Sequence, residues 1–475
     1  MARIRTLFTA VALIASGLAS AAAPAAAGPA GSPHLRLIAA AGTVDLQKYR
    51  RYPVQLDLGV YLASFGGDFQ LDVARAGYRS PIRVIQVVGS RRTLLPDWVA
   101  TGWQGVRGLV RYTVRDAEGN VVAERAPTVC PNAWDRQRVD ASGPLQSRFP
   151  QFCGTNVFTL GSVWGIDKGW SIGLDSAAPS IRLPVGTYSV TLRIERRYAR
   201  LFGVPAADAT AKVTVHVFRG TCCGAARAHR RRAPQGSPTI VPTDRHPAAA
   251  TMPDLIPLPA WSIGLSHHGA REYLDFAATV WDAGPAPMDV EGFRRPGTNI
   301  MDAYQYFFRD GKPVGRTRAG TLEYDARRGH EHWHFLQFAR YSLLGRDRSE
   351  IVRSQKQGYC LAPTDPIDLT VPDALWDPYS IGLQGACGGA TSIWTRETLP
   401  AGWGDTYFQS LPGQSFDITD LPNGRYDIEV QANPLDVIHE VRRGNDITYR
   451  RIILGGTPGA RTVRVPAWNG LDPES

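Results

Sequence analysis

LPVGTYSVTLRIE, residues 183–195, returns in altered form as LPNGRYDIEVQA, residues 421–432. In each copy a Pro/Gly turn leads into residues that alternate apolar and polar, the period of two that a half-buried β-strand requires. The same alternation marks VQLDLGVYLASF, RVIQVV, GLVRYTVRDAEGNVVAE and AKVTVHVF between about residues 43 and 220. It resumes in EYLDFAATVWD, AYQYFFRDGKPVG, HWHFLQFARYSLLG and DITYRRIIL, and WSIGL occurs at both 170–174 and 261–265. Gly, Asn, Asp and Pro separate these runs. The sequence therefore predicts an all-β fold of two β-sandwich-like domains, the first immunoglobulin-like, joined by a Pro/Arg-rich linker.

At 475 residues the chain exceeds one ordinary core, which fits two domains. Residues 1–27 read as a signal peptide: Arg3 and Arg5, a short apolar run, then alanines up to Ala27. Residues 28–42, rich in Ala, Gly and Pro, are expected to be disordered. The first domain is placed at 43–221, the linker at 222–250, the second domain at 251–457 and a tail at 458–475. No later stretch approaches the ~20 apolar residues of a membrane span. The expectation is a secreted, extracellular protein, with cell-wall association a further reading.

Charge divides along the chain. Residues 1–249 hold 31 Lys and Arg against 15 Asp and Glu, whereas residues 250–475 hold 22 against 28. A basic first domain suits an anionic cell-wall polymer, and an acidic second half attracts cations, amines included. The arginines lack interleaved aromatics of a nucleic-acid motif, so no nucleic-acid partner is expected. Six cysteines fit an oxidising compartment. Cys130 with Cys153 and Cys360 with Cys387 are the preferred pairs, each stapling one domain. Cys222 and Cys223 could bridge each other, link to another chain or reach back into the first domain.

RRGHEHWHFLQF, residues 327–338, places three of the ten histidines, His330, His332 and His334, at alternate positions. On a strand these rings share one face while Trp333 and Phe335 anchor the other. Three neutral imidazoles on one face make a nitrogen site for zinc, copper, iron or nickel, and spacing alone does not choose among them. A cupin-type site would want a near carboxylate and a distant histidine, and the only later histidine is His439. Lys356 stands out because arginine dominates the basic residues and only five lysines are present. Lysine can lose its proton and act as a nucleophile; arginine cannot.

Alternating histidines, then Lys356 in KQGYC, then GWGDTYFQSLPGQSFDITDLPNGRYDIEVQANPLDVIHE, follow the order and approximate spacing of the lysyl oxidase catalytic domain, which residues from about 251 to 456 resemble. PDLIPLPAWSIGL and LDFAATVWDAGPAPM also look like that domain's start, and the Ala/Arg/Gly-rich composition suits a bacterial secreted relative. The resemblance implies copper(II) on His330, His332 and His334, and lysine tyrosylquinone formed from Lys356 and Tyr407. It implies oxidation of primary amines, peptidyl lysine or small amines, to aldehydes, with O2 reduced to H2O2 and ammonia released. Asp405, Asp417 and Asp420 are the candidates for the carboxylate that takes the substrate proton. The chain departs from the family's animal domains, which are rich in disulfides, at Gly329, which stands in place of a cysteine of the bridge that tethers the copper strand there, and it has Arg327 where a further upstream histidine is expected.

Two other readings stay open at this level. One is a non-catalytic, metal-binding cell-wall or surface adhesion protein with tandem immunoglobulin-like modules. The other is a His-ligated zinc hydrolase.

Overall fold

The computed structural model describes residues 31–49, 51–154, 156–219, 240–327, 330–379, 387–411 and 413–474. The expected signal peptide, Cys222, Cys223, Gly329 and most of the linker lie outside these residues. The fold is all-β, and the one α-helix among the described residues is the short Arg196–Leu201.

In the first half, Val121–Arg125, Val110–Arg115, Gly186–Ile194, Thr210–Arg219 and Thr43–Lys48 form a five-stranded sheet whose last pair is parallel. His34–Ala39, Val60–Phe65, Trp170–Gly173 and Arg136–Arg138 form another. Inward residues of both, such as Leu35, Leu62, Val190 and Val213, share one core. His34–Ala39 lies within the stretch expected to be disordered. Leu35 and Leu37 alternate inward and become buried once the segment pairs with Val60–Phe65, a gain that Ala/Gly/Pro composition conceals.

In the second half, one sheet runs in the order His332–Phe335, Lys312–Asp325, Ile300–Arg309, Met288–Arg294 and Trp394–Leu399. A second carries Leu255–Pro257, Arg271–Asp282, Trp403–Tyr407 and Asp365–Pro366. A third holds Glu350–Arg353, Ala339–Leu344, Gly424–Ala432, Ile447–Thr457 and Ala460–Arg464, the last of these falling in the expected tail. Leu322, Trp333, Phe276, Trp403, Tyr341 and Ile428 bring all three sheets onto one core.

The quoted repeat is structural as well as sequential. Tyr188 donates its hydroxyl to the Pro184 carbonyl at 3.1 Å, and Tyr426 donates to the Pro422 carbonyl at 2.7 Å. Each Leu-Pro turn is thus pinned to the strand it starts, a tyrosine corner of the kind β-sandwiches use.

The halves are also packed together. Phe149 and Val163 of the first belong to the core of the second, and Phe158 packs with Leu258, Trp281 and Ile367. The Leu160 amide donates to the Ile367 carbonyl at 2.7 Å, and the Leu369 amide to the Gly161 carbonyl at 3.0 Å. Buried Asn156 reaches Thr279 Oγ1 at 3.3 Å and Thr406 Oγ1 at 3.4 Å, directly beside Tyr407.

Candidate metal and lysine–tyrosine site

Trp333 and Phe335 are fully buried on one face of the His332–Phe335 strand, so His332 and His334 emerge on the other. His330 does not continue that strand. It sits in a turn, its amide bonded to the Arg327 carbonyl at 2.9 Å, and Glu331 between turn and strand has a left-handed φ of 44°. The expectation that all three histidines alternate along one extended segment is corrected here. Two share the strand face, and the bend at Glu331, a conformation costing about 1–3 kcal/mol for a non-glycine residue, returns the third to them.

The three rings nevertheless converge. Their centroids lie 4.5 Å (His332–His334), 5.4 Å (His330–His334) and 5.9 Å (His330–His332) apart. One nitrogen from each lies within 4.8 Å of the others. His332 Nδ1 meets the His330 carbonyl, and its Nε2 shares a hydrogen bond of 2.9 Å with His334 Nε2. Among the described residues His330 Nδ1 is buried without a hydrogen bond, since Asp325 Oδ2, 3.2 Å away, is out of alignment. Burial lowers the pKa of His330, and takes that of His334 down to about 3. Three convergent imidazole nitrogens, with burial favouring the neutral form of His330 and His334, are a donor set suited to a borderline divalent ion, so these residues fit copper.

Behind them Asp325 accepts a two-pronged bond from Arg327, Nε to Oδ1 at 2.9 Å and Nη2 to Oδ2 at 2.6 Å. That guanidinium holds the Asp325 carboxyl far below its ordinary range. Arg327, standing where a further histidine was noted as usual, thus fixes the carboxylate beside His330.

Lys356 is only 7 % exposed, and no carboxylate among the described residues lies within ion-pair distance of it. Its Nζ lies 4.5 Å from the centroid of the Tyr407 ring and 5.4 Å from that of Tyr359. Burial lowers its pKa from 10.5 to about 8, with Asp405 opposing the shift. Tyr407 ends the wholly buried Trp403–Tyr407 strand. Its hydroxyl accepts from the Cys360 amide at 2.7 Å and donates to the Cys360 carbonyl at 3.1 Å. Burial raises the phenol well above its ordinary pKa.

The three candidate carboxylates separate. Asp405 is two residues before Tyr407 on the same strand face, is buried, and has one oxygen with no hydrogen-bond partner. Burial raises its pKa strongly, while the Tyr407 hydroxyl and the Lys356 charge pull the other way. Asp417 instead pairs with Arg271 and accepts from Thr419, and Asp420 is exposed. A cavity of about 570 Å³ opens beside His334 and Lys356. Both preferred disulfides, Cys130–Cys153 and Cys360–Cys387, are present. Sequence reasoning missed the Cys360 cradle, because backbone groups leave no sequence signal.

Fold and site define an all-β protein with a candidate metal centre beside a buried lysine–tyrosine pair. Residues 311–458, which include all three histidines, Lys356 and Tyr407, match the lysyl oxidase family. Lysyl oxidase homolog 4 of Mus musculus is 27% identical over 166 residues, 35% of this chain and 19% of that protein. Lysyl oxidase homolog 4 of Homo sapiens shows the same identity and the same shares. The match therefore spans about a fifth of the length of these relatives. Among the described residues no helix is long and apolar enough to cross a membrane.

Proposed function

We propose that the chain is an exported, copper-dependent amine oxidase that converts primary amines to aldehydes with O2 as oxidant, through a lysine tyrosylquinone made from Lys356 and Tyr407. The observation that carries this reading is the buried amine 4.5 Å from the centre of a buried phenol ring, next to three converging imidazoles. His330, His332 and His334 would hold the copper. Bound copper with O2 would supply the oxidation of the phenol that lets an amine add to its ring, leaving a carbonyl cofactor able to accept electrons from substrate amines.

The chain's own residues have distinct tasks in this reading. Burial keeps much of Lys356 neutral near pH 8, and only the neutral amine has the lone pair for addition. Cys360 fixes the phenol oxygen and so the orientation of the ring. Asp405, beside both, is the carboxylate that takes the proton from the carbon next to the substrate nitrogen. The cavity beside Lys356 gives the substrate amine its approach. Export rests on the leader-like residues 1–27, and residues 43–221 and 251–457 are proposed as the two modules.

Peptide mass mapping of aerobically matured, copper-loaded protein tests this directly. The expected product is one cross-linked species joining the Lys356 and Tyr407 peptides, reactive with phenylhydrazine and absent from Lys356→Arg. Two separate, unmodified peptides would end the proposal.

A further inference from the structure

The charges lining the cavity beside Lys356 do not cancel evenly. Its volume of about 570 Å³ suits a small ligand, and its walls include Glu323, Asp325, Arg327, Arg340 and Arg353. Asp325 and Arg327 neutralise each other. Arg353 pairs with Glu350 at 3.0 Å. Among the described residues Arg340 has no carboxylate of its own, and it donates from Nη2 to the neutral Gln431 side chain at 2.5 Å.

Glu350 lies close enough to feel both guanidiniums. Burial pushes its pKa up, but the Ser342 hydroxyl, Arg353 and Arg340 together hold it below its ordinary range. Two guanidiniums therefore share one carboxylate and leave a net positive charge on this wall. Glu323 is the counterweight, but it is exposed, where water and salt screen its field. Arg340 is half-buried on the Ala339–Leu344 strand, where a charge acts at lower effective dielectric and outweighs one at the rim.

We infer that the cavity selects primary amines that carry a carboxylate on the same molecule, with the carboxylate on Arg340 while the amine reaches the Lys356–Tyr407 pair. This rests on the amine oxidase reading above. A guanidinium offers a planar fork matched to a carboxylate, whereas the second ammonium of a diamine would face uncompensated positive charge. The overall reaction is R–CH2–NH2 + O2 + H2O → R–CHO + NH3 + H2O2, in which the amine carbon loses two electrons and O2 gains them.

The test measures peroxide release by the copper-loaded full chain on 6-aminohexanoate, hexylamine and 1,6-diaminohexane. The expected kcat/KM for 6-aminohexanoate exceeds that for the diamine by about tenfold, the worth of one charge-assisted pair. Arg340→Gln should bring the ratio of 6-aminohexanoate to hexylamine towards one, and Arg340→Lys should restore part of it. Equal or better use of the diamine by the native chain, or an unchanged ratio in Arg340→Gln, overturns the inference. A lysine peptide preferred when glutamate rather than glutamine flanks the lysine would support the same carboxylate seat with a peptide as its source. If no amine is turned over and no carbonyl label forms, the amine oxidase reading fails by itself. Calorimetric binding of hexanoate then still decides the carboxylate seat: loss of binding in Arg340→Gln supports it, and unchanged or absent binding in the native chain overturns it.

Discussion

Cys360 grips the Tyr407 phenol with both of its backbone groups, the amide donating to the phenol oxygen at 2.7 Å and the carbonyl accepting from it at 3.1 Å. The same Cys360 is joined to Cys387, and the Cys387 carbonyl accepts the Trp333 amide at 2.8 Å. Trp333 stands between His332 and His334, so the disulfide ties the cradle of the phenol to the strand of the histidines. Phe335 and Tyr359 reinforce this tie with a reciprocal pair of backbone bonds at 2.7 and 3.0 Å. The histidine strand is thus tied through Cys387 to the segment that cradles the phenol.

Breaking that tie should affect cofactor formation more than metal retention. Paired Cys360→Ser and Cys387→Ser substitutions open a bridge between residues 27 apart. The loss expected from chain entropy is about 3 kcal/mol of stability. The phenylhydrazine-reactive fraction should fall severalfold at a temperature where the variant remains folded, while bound copper per chain changes little. A quinone yield equal to the native chain's would show that the cradle holds without the disulfide.

The pH dependence of maturation follows from Lys356. Its pKa is lowered to about 8 from 10.5, chiefly by burial, so the folded state disfavours the ammonium. While Lys356 is charged the fold carries a penalty, relieved as pH rises from the folded value towards the unfolded one. The rate of cofactor formation after copper and O2 are added should rise about tenfold per pH unit below that folded value and level off above it. A bound dication nearby would move the bend further down. A rate that does not change between about pH 6 and 9 would remove the neutral amine from the limiting step.

Much of this architecture was legible because burial on one face of a sheet imposes a period of two, as in GTYSVTLRIE and GRYDIEVQA. The strand positions of His332 and His334 were legible for the same reason, with Trp333 and Phe335 as anchors. His330 was not, because a left-handed Glu331 leaves no periodic trace. The nearness of Lys356 to Tyr407 and the insertion of Phe149, Phe158 and Val163 into the second core depend on long-range packing. Local pattern holds no record of it. Asp417 and Asp420 resembled Asp405 in sequence, and only burial and partners distinguish the three.

That distinction is measurable. Asp405→Asn keeps the shape of the side chain and removes its basicity, so kcat should fall by about 10²–10⁴-fold in protein that still carries the quinone. Asp417→Asn loses a largely exposed ion pair with Arg271, and Asp420→Asn changes an exposed group. Both should keep kcat within about twofold of the native chain. A larger loss in either than in Asp405→Asn would assign the proton to the wrong carboxylate here.

Asn156 ties the first half to the strand that ends in Tyr407. Its side-chain amide donates to the hydroxyls of Thr279 and Thr406, which are themselves 2.8 Å apart, and its carbonyl oxygen accepts the Phe158 amide at 2.9 Å. Thr406 precedes Tyr407, so this network braces the back of the strand that presents the phenol. Asn156→Ala would leave a buried amide unpaired and two hydroxyls short of a partner, a cost of about 1–3 kcal/mol. A lower melting temperature is expected of any such loss. The distinguishing result is a slower rate of cross-link formation at a temperature where the variant is fully folded, with copper binding unchanged. If cross-linking then proceeds at the native rate, the first half contributes stability to the second and has no part in aligning Tyr407 with Lys356.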